Sequence, residues 1–384
     1  MNETPLTHPA LLPAGLRDVL PPEAELEARS VGAIMDCFAA HGYQRVAAPL
    51  IEFEDSLFAG SGAATAEQTF RLMDPDSQRM MGLRADITPQ IARLATTRLA
   101  TAPRPLRLTY SGQCLRVRGS HLQPERQISQ AGIELIGPDT AEADAEIILT
   151  AVAALAEIGI FGISVDLTAP RLVTHLLESV AEHDRRLLAR ALDRKDAAAV
   201  TDVGSPLTRQ LLDLLDATGT AERAIPALLA IDLPEEPKKQ ARRIAETVAV
   251  LRQRQPDLQI TVDPVEFRSY QYHTGLCVTL FALGEQAELG RGGRYLCGDT
   301  EPATGITLYP DTIVRVAPPQ PLRPRLYLPY GTPAATGAQY RAQNYATVAG
   351  LAPHPSPKDE AARLGCSHVF QDGAISPLNQ GPEE

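Results

Sequence analysis

Apolar residues recur at helical spacing across residues 23–41, where Leu26, Ala33, Ile34, Cys37 and Phe38 share one face and Gly42 follows as a stop. A helix is predicted there. Residues 43–51 (YQRVAAPLI) read as a strand, and Pro49 suits it to an edge or interface because proline donates no ladder hydrogen bond. Two extended runs between 68 and 85 flank the turn sequence Asp74-Pro75-Asp76-Ser77, which predicts a hairpin. Residues 88–100 (TPQIARLATTRLA) form an amphipathic helical pattern, with Asp86 or Thr88 near its cap and Pro89 in its first turn. The extended runs 106–118 (LRLTYSGQCLRVR) and 126–136 (RQISQAGIELI) then predict an antiparallel hairpin with a long, mobile tip around His121 to Glu125. Residues 140–158 return to helical period, opened by Asp139 or Thr140 and buried through Ile147, Ile148, Ala151, Val152 and Leu155.

From about 170 to 256 the chain changes to short Leu/Ala/Arg-rich helical segments without a strand signal, broken at Gly204-Ser205-Pro206 and Pro234 to Pro237. Extended patterning resumes at 260–282, beside turn glycines Gly284, Gly290, Gly292 and Gly293. A Pro-rich stretch, Pro318 to Pro324, separates a tail with one strand (RLYLPY), one or two helices and a short strand near Val369. The division expected is one domain from 1–169 and 257–317, an all-helical insertion at 170–256, and a linker with a small C-terminal α/β segment at 318–384. That tail looks too short for a full core of its own.

Composition narrows the function class. The chain has 384 residues, 44% of them hydrophobic and 22% charged, which excludes a mainly disordered or fibrous protein. Its net charge of −11 argues against a general basic surface for nucleic acid. Lys195, Lys238, Lys239 and Lys358 are the only lysines, so a Walker-type phosphate lysine has almost nowhere to sit, and no G-K-[ST] follows Gly290 to Gly293. Cys37, Cys114, Cys277, Cys297 and Cys366 are scattered and never form C-x-x-C, so neither a disulfide framework nor a zinc site is expected. No signal peptide or membrane span is read, and a cytoplasmic location is expected. His41 and His121 stand alone and are read as structural or loop residues.

One group of polar residues carries chemistry. Gln130 and Glu134 lie an even number apart on the second hairpin strand and share a face, with Arg116 on the first strand. Asp86 and Thr88 end the preceding hairpin, and Arg268 with Tyr272 lies on the returning strand after the insertion. By themselves these could be ordinary surface residues of an exposed sheet. Together they supply a carboxylate for an ammonium group, Asp86, and a guanidinium for a carboxylate, Arg268. Glu134 and Tyr272 remain for a polar side chain. That is the complement of a small zwitterion, whose buried charges must be paired.

The runs LRADITPQIARL (83–94), YSGQCLRVRGS (110–120), RQISQAGIELIG (126–137) and GRGGRY (290–295) resemble class II aminoacyl-tRNA synthetases of the histidyl branch. The resemblance spans about residues 10–316, and the helical insertion falls where that branch has one. It implies an α+β fold with a class II synthetase-like antiparallel sheet flanked by helices, dimerising through the helix at 23–41 and the strand at 43–51. It also implies a histidine pocket made of Asp86 (usually Glu), Thr88, Arg116, Gln130, Glu134, Arg268 and Tyr272.

The chain departs from that family where ATP is held. The third class II motif places an Arg at the start of a helix after a Gly-rich strand, but here ATGITLYP (303–310) runs into DTIVRV, and Arg315 comes several residues late. The G-L-D-Y-Y-like signature has become Ser269-Tyr270-Gln271-Tyr272-His273. Loss of such a phosphate clamp removes a dominant catalytic term, so no synthetase activity and no catalytic residue are expected. The combination resembles the regulatory subunits of ATP phosphoribosyltransferase, paralogues of the histidyl synthetases. That resemblance implies a non-catalytic role in histidine biosynthesis, without a cofactor or metal, in a hetero-oligomer with a short-form ATP phosphoribosyltransferase catalytic subunit. Histidine is the implied ligand and a self-dimer the implied core, with neither nucleic acid nor membrane as a partner. The alternatives are a histidyl-tRNA synthetase or another synthetase-like amino-acid-binding protein.

Overall fold

The computed structural model describes residues 11–119, 124–267, 272–282, 288–298, 300–319 and 321–378. Its first elements are helix α1 (Glu23–Ala40), strands β1 (Gln44–Arg45) and β2 (Ile51–Phe53), and the short helix α2 (Glu54–Leu57). The stretch 43–51 is thus not one strand. It is extended only at its two ends, and Pro49 lies in the irregular backbone between them. Strands β3 (Arg71–Met73) and β4 (Met80–Leu83) pair around the Asp74 turn, whose carboxylate accepts from the Ser77 hydroxyl at 2.5 Å. With β2 they form a small sheet of order β2-β4-β3.

Helix α3 (Thr88–Thr96) leads to the hairpin of β5 (Leu106–Leu115) and β6 (Gln127–Ile136), which pair antiparallel with Leu108 opposite Glu134 and Gly112 opposite Gln130. Residues 120–123 of the hairpin tip, His121 among them, lie outside the described residues. Helix α4 (Ala141–Glu157) is capped by Thr140, whose side chain accepts from the Ala143 backbone N–H at 3.3 Å. Strand β7 (Ile163–Thr168) follows. Then come helices α5 (Pro170–Leu177), α6 (Glu182–Asp193), α7 (Ala197–Val203) and α8 (Thr208–Asp216), the two-residue strand β8 (Gly219–Thr220), and helices α9 (Ala221–Ala230) and α10 (Glu235–Arg254). The insertion therefore holds a strand as well as helices. Thr220 pairs with Thr261 of β9 (Gln259–Val262), which satisfies backbone groups that the sheet edge would leave open.

Strands β10 (Cys277–Ala282), β11 (Glu288–Cys297) and β12 (Glu301–Leu308) complete the sheet, and helix α11 (Pro310–Val316) closes the domain. Among the described residues the large sheet has nine strands, ordered β1-β5-β6-β12-β11-β10-β7-β9-β8. Its six central strands are antiparallel throughout, whereas β1 on β5 and β9 on β7 pair parallel. The sheet is thus mixed at its edges, because long connections can return a strand in either direction.

The period of two divides the sheet's chemistry. Odd-numbered residues of β6 (Ala131, Ile133, Leu135) enter a core with Ile34 and Phe38 of α1 and Ile147, Ile148 and Leu155 of α4. That core continues into the insertion through Leu188, Leu211, Leu228 and Leu251. On the other face, Tyr110, Cys114, Ile128, Ile136 and Tyr295 pack against Ile87, Ile91 and Ala95 of the α3 segment.

A second compact unit begins at Pro319. It contains β13 (Arg325–Leu328), α12 (Ala334–Ala342), β14 (Ala346–Ala349), α13 (Pro357–Arg363), β15 (His368–Gln371) and β16 (Ala374–Pro377), with sheet order β14-β13-β15-β16. It has its own buried clusters, around Tyr327, Ala361 and Val369 and around Leu326, Leu328 and Tyr340. The tail is therefore more structured than its length suggested, because alternate β13 side chains feed both faces of one small sheet.

Candidate functional site

Glu134 is the centre of the polar cluster on the α3 face. The β6 register places it between Leu108 of β5 and Gly305 of β12. Its Oε1 accepts from the Thr88 hydroxyl at 3.1 Å and the Tyr110 hydroxyl at 3.2 Å, and its Oε2 accepts from Tyr295 at 2.9 Å. Tyr110 and Thr307 share a 2.7 Å hydrogen bond, extending the network to β12. Burial pushes the Glu134 carboxyl up to about 8, the Asp86 charge adds to this, and the three hydroxyls pull it back. The backbone comes very close here. A Cβ added to Gly305 would lie 1.7 Å from Glu134 Oε2, so only glycine fits.

Gln130 lies two positions from Gly132 on the same face, and its Oε1 accepts from the Ile87 N–H at 3.0 Å and from Cys114 Sγ at 3.2 Å. It thereby pins the start of α3 to the sheet. Asp86 is not the N-cap, a position held by Ile87, but its Oδ1 accepts from the Thr88 N–H at 2.9 Å. Buried Arg84 binds the Gln113 and Ala48 carbonyls at 2.8 and 3.0 Å, locking the strand-to-helix turn against β5.

Asp86 and Arg116 open onto a common cavity of about 180 Å³, lined also by Thr65 and Gln68. This is below the roughly 300–1,000 Å³ of clefts that take drug-sized ligands. Arg116 lies just past β5, where its N–H still donates to the Arg126 carbonyl at 2.7 Å. Tyr272 is not on a strand. It precedes β10, stacks on His273 at 4.2 Å between ring centroids and meets Tyr295 edge-on at 6.4 Å. Burial, with Arg291 adding its charge, lowers the His273 pKa to about 3, so this imidazole is neutral. Arg268 and residues 269–271 lie outside the described residues.

The structure therefore brings Asp86 and Arg116 to one cavity, and joins Thr88 to Glu134 in a sealed network beside it. Residues missed from the sequence are Tyr110, Tyr295 and Thr307. Strand alternation within YSGQCLRVRGS and GRGGRY could have found the two tyrosines, since Tyr110 is an even step from Gly112 and Arg116. Thr307 emerges only from the β12 pairing, with Gly132 opposite it.

Where a nucleotide clamp would sit, the first turn of α11 carries Pro310, Asp311 and Thr312. Asp311 Oδ2 accepts from the Ser129 N–H at 2.7 Å, and burial pushes its carboxyl above the usual range. Arg315 is in the last turn, 3.8 Å from Glu125. Tyr309 lies just before the helix. Burial pushes its phenol up to about 12, while Arg291 and Arg116 pull it down and Glu288 and Asp86 raise it.

A family model described as histidyl-tRNA synthetase matches residues 15–313. The chain is 52% identical over 378 residues to the ATP phosphoribosyltransferase regulatory subunit of Gluconobacter oxydans (strain 621H), covering 98% of this chain and 99% of that one. The chain belongs to the family of ATP phosphoribosyltransferase regulatory subunits. The member from Rhodospirillum centenum is 51% identical over 376 residues, covering 97% of each chain. Two solved structures share the fold. An ATP phosphoribosyltransferase regulatory subunit/histidyl-tRNA synthetase from Bacillus halodurans C superposes with a TM-score of 0.79 at 23% identity, covering 94% of this chain and 97% of that one. Histidyl-tRNA synthetase from Nostoc sp. PCC 7120 gives 0.76 at 18%, with coverage of 95% and 91%. Among the described residues of this family member, no helix is long and apolar enough to cross a membrane.

Proposed function

We propose that the chain is the non-catalytic regulatory partner of a short-form ATP phosphoribosyltransferase, the enzyme of the first step of histidine biosynthesis, and that it senses histidine through the Asp86–Arg116 cavity. The observation that carries the loss of synthetase chemistry is the first turn of α11. It presents Asp311, held by Ser129, where an arginine would face a triphosphate. A carboxylate there repels phosphate, and loss of a transition-state clamp costs on the order of 10³-fold or more in rate. ATP–pyrophosphate exchange with histidine is expected at background.

The retained amino-acid site supports feedback by histidine. Asp86 complements an ammonium and Arg116 a carboxylate across one cavity. Arg268 and Tyr272 are assigned to the same pocket, with Thr88, Gln130 and Glu134 behind it. A regulatory chain acts by binding the active arrangement of its partner more tightly than the inactive one, and histidine reverses that bias. A self-dimer through α1 and β1 gives the two-fold core of a symmetric hetero-oligomer in the cytoplasm, with no nucleic acid involved.

Mixing the chain with a short-form ATP phosphoribosyltransferase is expected to give a larger species on size exclusion and higher transferase turnover, with histidine reversing the gain. Co-elution without a change in turnover would show the activating role to be wrong. Exchange at a normal synthetase rate would restore the histidyl-tRNA synthetase reading.

A further inference from the structure

The helical insertion carries a groove that its own packing leaves open. Helix α6 ends at Asp193, Lys195 takes a left-handed conformation (φ 54°), and α7 starts from its cap Asp196, so that α7 folds back against α6. Lys195 is anchored there by Asp263, whose two carboxylate oxygens each lie 2.6 Å from Nζ. Leu188, Leu192 and Val200 of this helix pair enter the main core. On another face Leu187, Ala191, Ala199 and Val203 surround a cavity of about 300 Å³, at whose edge Leu187 stays 40% exposed.

The rim of the groove is divided by charge. Arg190 and Arg194 stand on the α6 wall, and Asp196 and Asp202 on the α7 wall. With Arg186 the arginines form an exposed i, i+4, i+8 ridge beside the apolar ridge of Leu187 and Ala191. Among the described residues none of these three arginines has a carboxylate partner, whereas the neighbouring Arg185 is bound to the Glu178 and Val180 carbonyls. Asp196 is occupied as the α7 cap, accepting from the Ala199 N–H at 2.9 Å. The lining charges cancel in sum but are separated in space, which favours a protein partner whose charges are separated in the opposite sense. An apolar strip between two polar walls, set on i±4 ridges, is the surface that an amphipathic helix buries.

We infer that this groove docks an amphipathic helix of the transferase catalytic subunit, with acidic residues against Arg186, Arg190 and Arg194 and an apolar stripe on Leu187, Ala191, Ala199 and Val203. The inference rests on the regulatory reading above, in which α1 and β1 form the self-dimer and leave the insertion to the other chain.

Calorimetric titration of the full chain with a short-form ATP phosphoribosyltransferase tests it. Arg190→Ala/Arg194→Ala is expected to weaken association at least about tenfold, to flatten its dependence on salt and to leave the melting temperature of the chain unchanged. Leu187→Ala should weaken it about fivefold, since the side chain becomes buried on docking. Arg209→Ala, which removes an exposed arginine of α8 in the same insertion, should leave it unchanged. Wild-type affinity in both groove variants would overturn the groove assignment while the regulatory reading stands. Failure of the wild type to associate at all would overturn both. An equal loss in Arg209→Ala would reduce the effect to general charge, and a groove-dependent rise in the mass of the chain alone would make the occupant a second copy; either would also overturn the assignment.

Discussion

Glu134→Gln isolates the energetic consequence of burying a carboxyl under the sheet. Glutamine keeps the shape and cannot ionise, so the difference between the two proteins reports ionisation alone. Burial is the main reason the folded pKa rises to about 8 from an ordinary value of 4.5. A raised folded pKa means that the folded state holds the proton more tightly than the unfolded chain. The resulting stabilisation is fully present below about pH 4.5 and is lost as pH rises through about 8. At 1.36 kcal/mol per pKa unit, the loss approaches about 3–5 kcal/mol. Urea unfolding of both proteins from pH 4.5 to 9 measures it. Relative to Glu134→Gln, the wild type should lose about 1 kcal/mol or more per pH unit between 5 and 8 and level off above that. A stability difference that stays within about 1 kcal/mol over the whole range would refute the reasoning, since it would mean that the carboxylate ionises in the fold at little cost.

Four further outcomes follow from the same geometry. Asp86→Asn should weaken histidine in calorimetry by about 1.5–3 kcal/mol, because Asp86 is the carboxylate that lines the cavity and faces the ligand's ammonium. Arg116→Ala should weaken histidine by about 2 kcal/mol, as expected when a ligand carboxylate loses a charged partner, and an unchanged isotherm would remove Arg116 from the pocket. Gly305→Ala should destabilise by at least about 1–3 kcal/mol in denaturant titration, since its Cβ meets both Glu134 and the Ile133 carbonyl. Asp144→Ala should cost about 1–3 kcal/mol, since buried Arg294 loses one carboxylate but keeps Asp139 at 3.1 Å and the Pro138 and Thr140 carbonyls, whereas Thr140→Ala, which removes the α4 cap, should cost about 1 kcal/mol.

Local pattern was enough to place the helix at 23–41, the hairpin of β5 and β6 and the start of α4 at Asp139 or Thr140, because each depends on residues close in the chain, and the structure settles that cap on Thr140. It also put Gln130 and Glu134 on one face, a direct result of strand alternation. The missing arginine in the first turn of α11 was equally visible. What alternation could not supply was the third dimension of the site. Glu134 meets Tyr295 and Gly305 from strands that follow it by more than 150 residues, and the proton it holds depends on how completely those strands exclude water. The parallel edge pairings, the strand inside the insertion and the four-stranded C-terminal sheet were likewise settled by partners remote in sequence. Short-range order follows from backbone sterics and periodicity, whereas pairing across the sheet and burial of charge exist only once the whole core has closed.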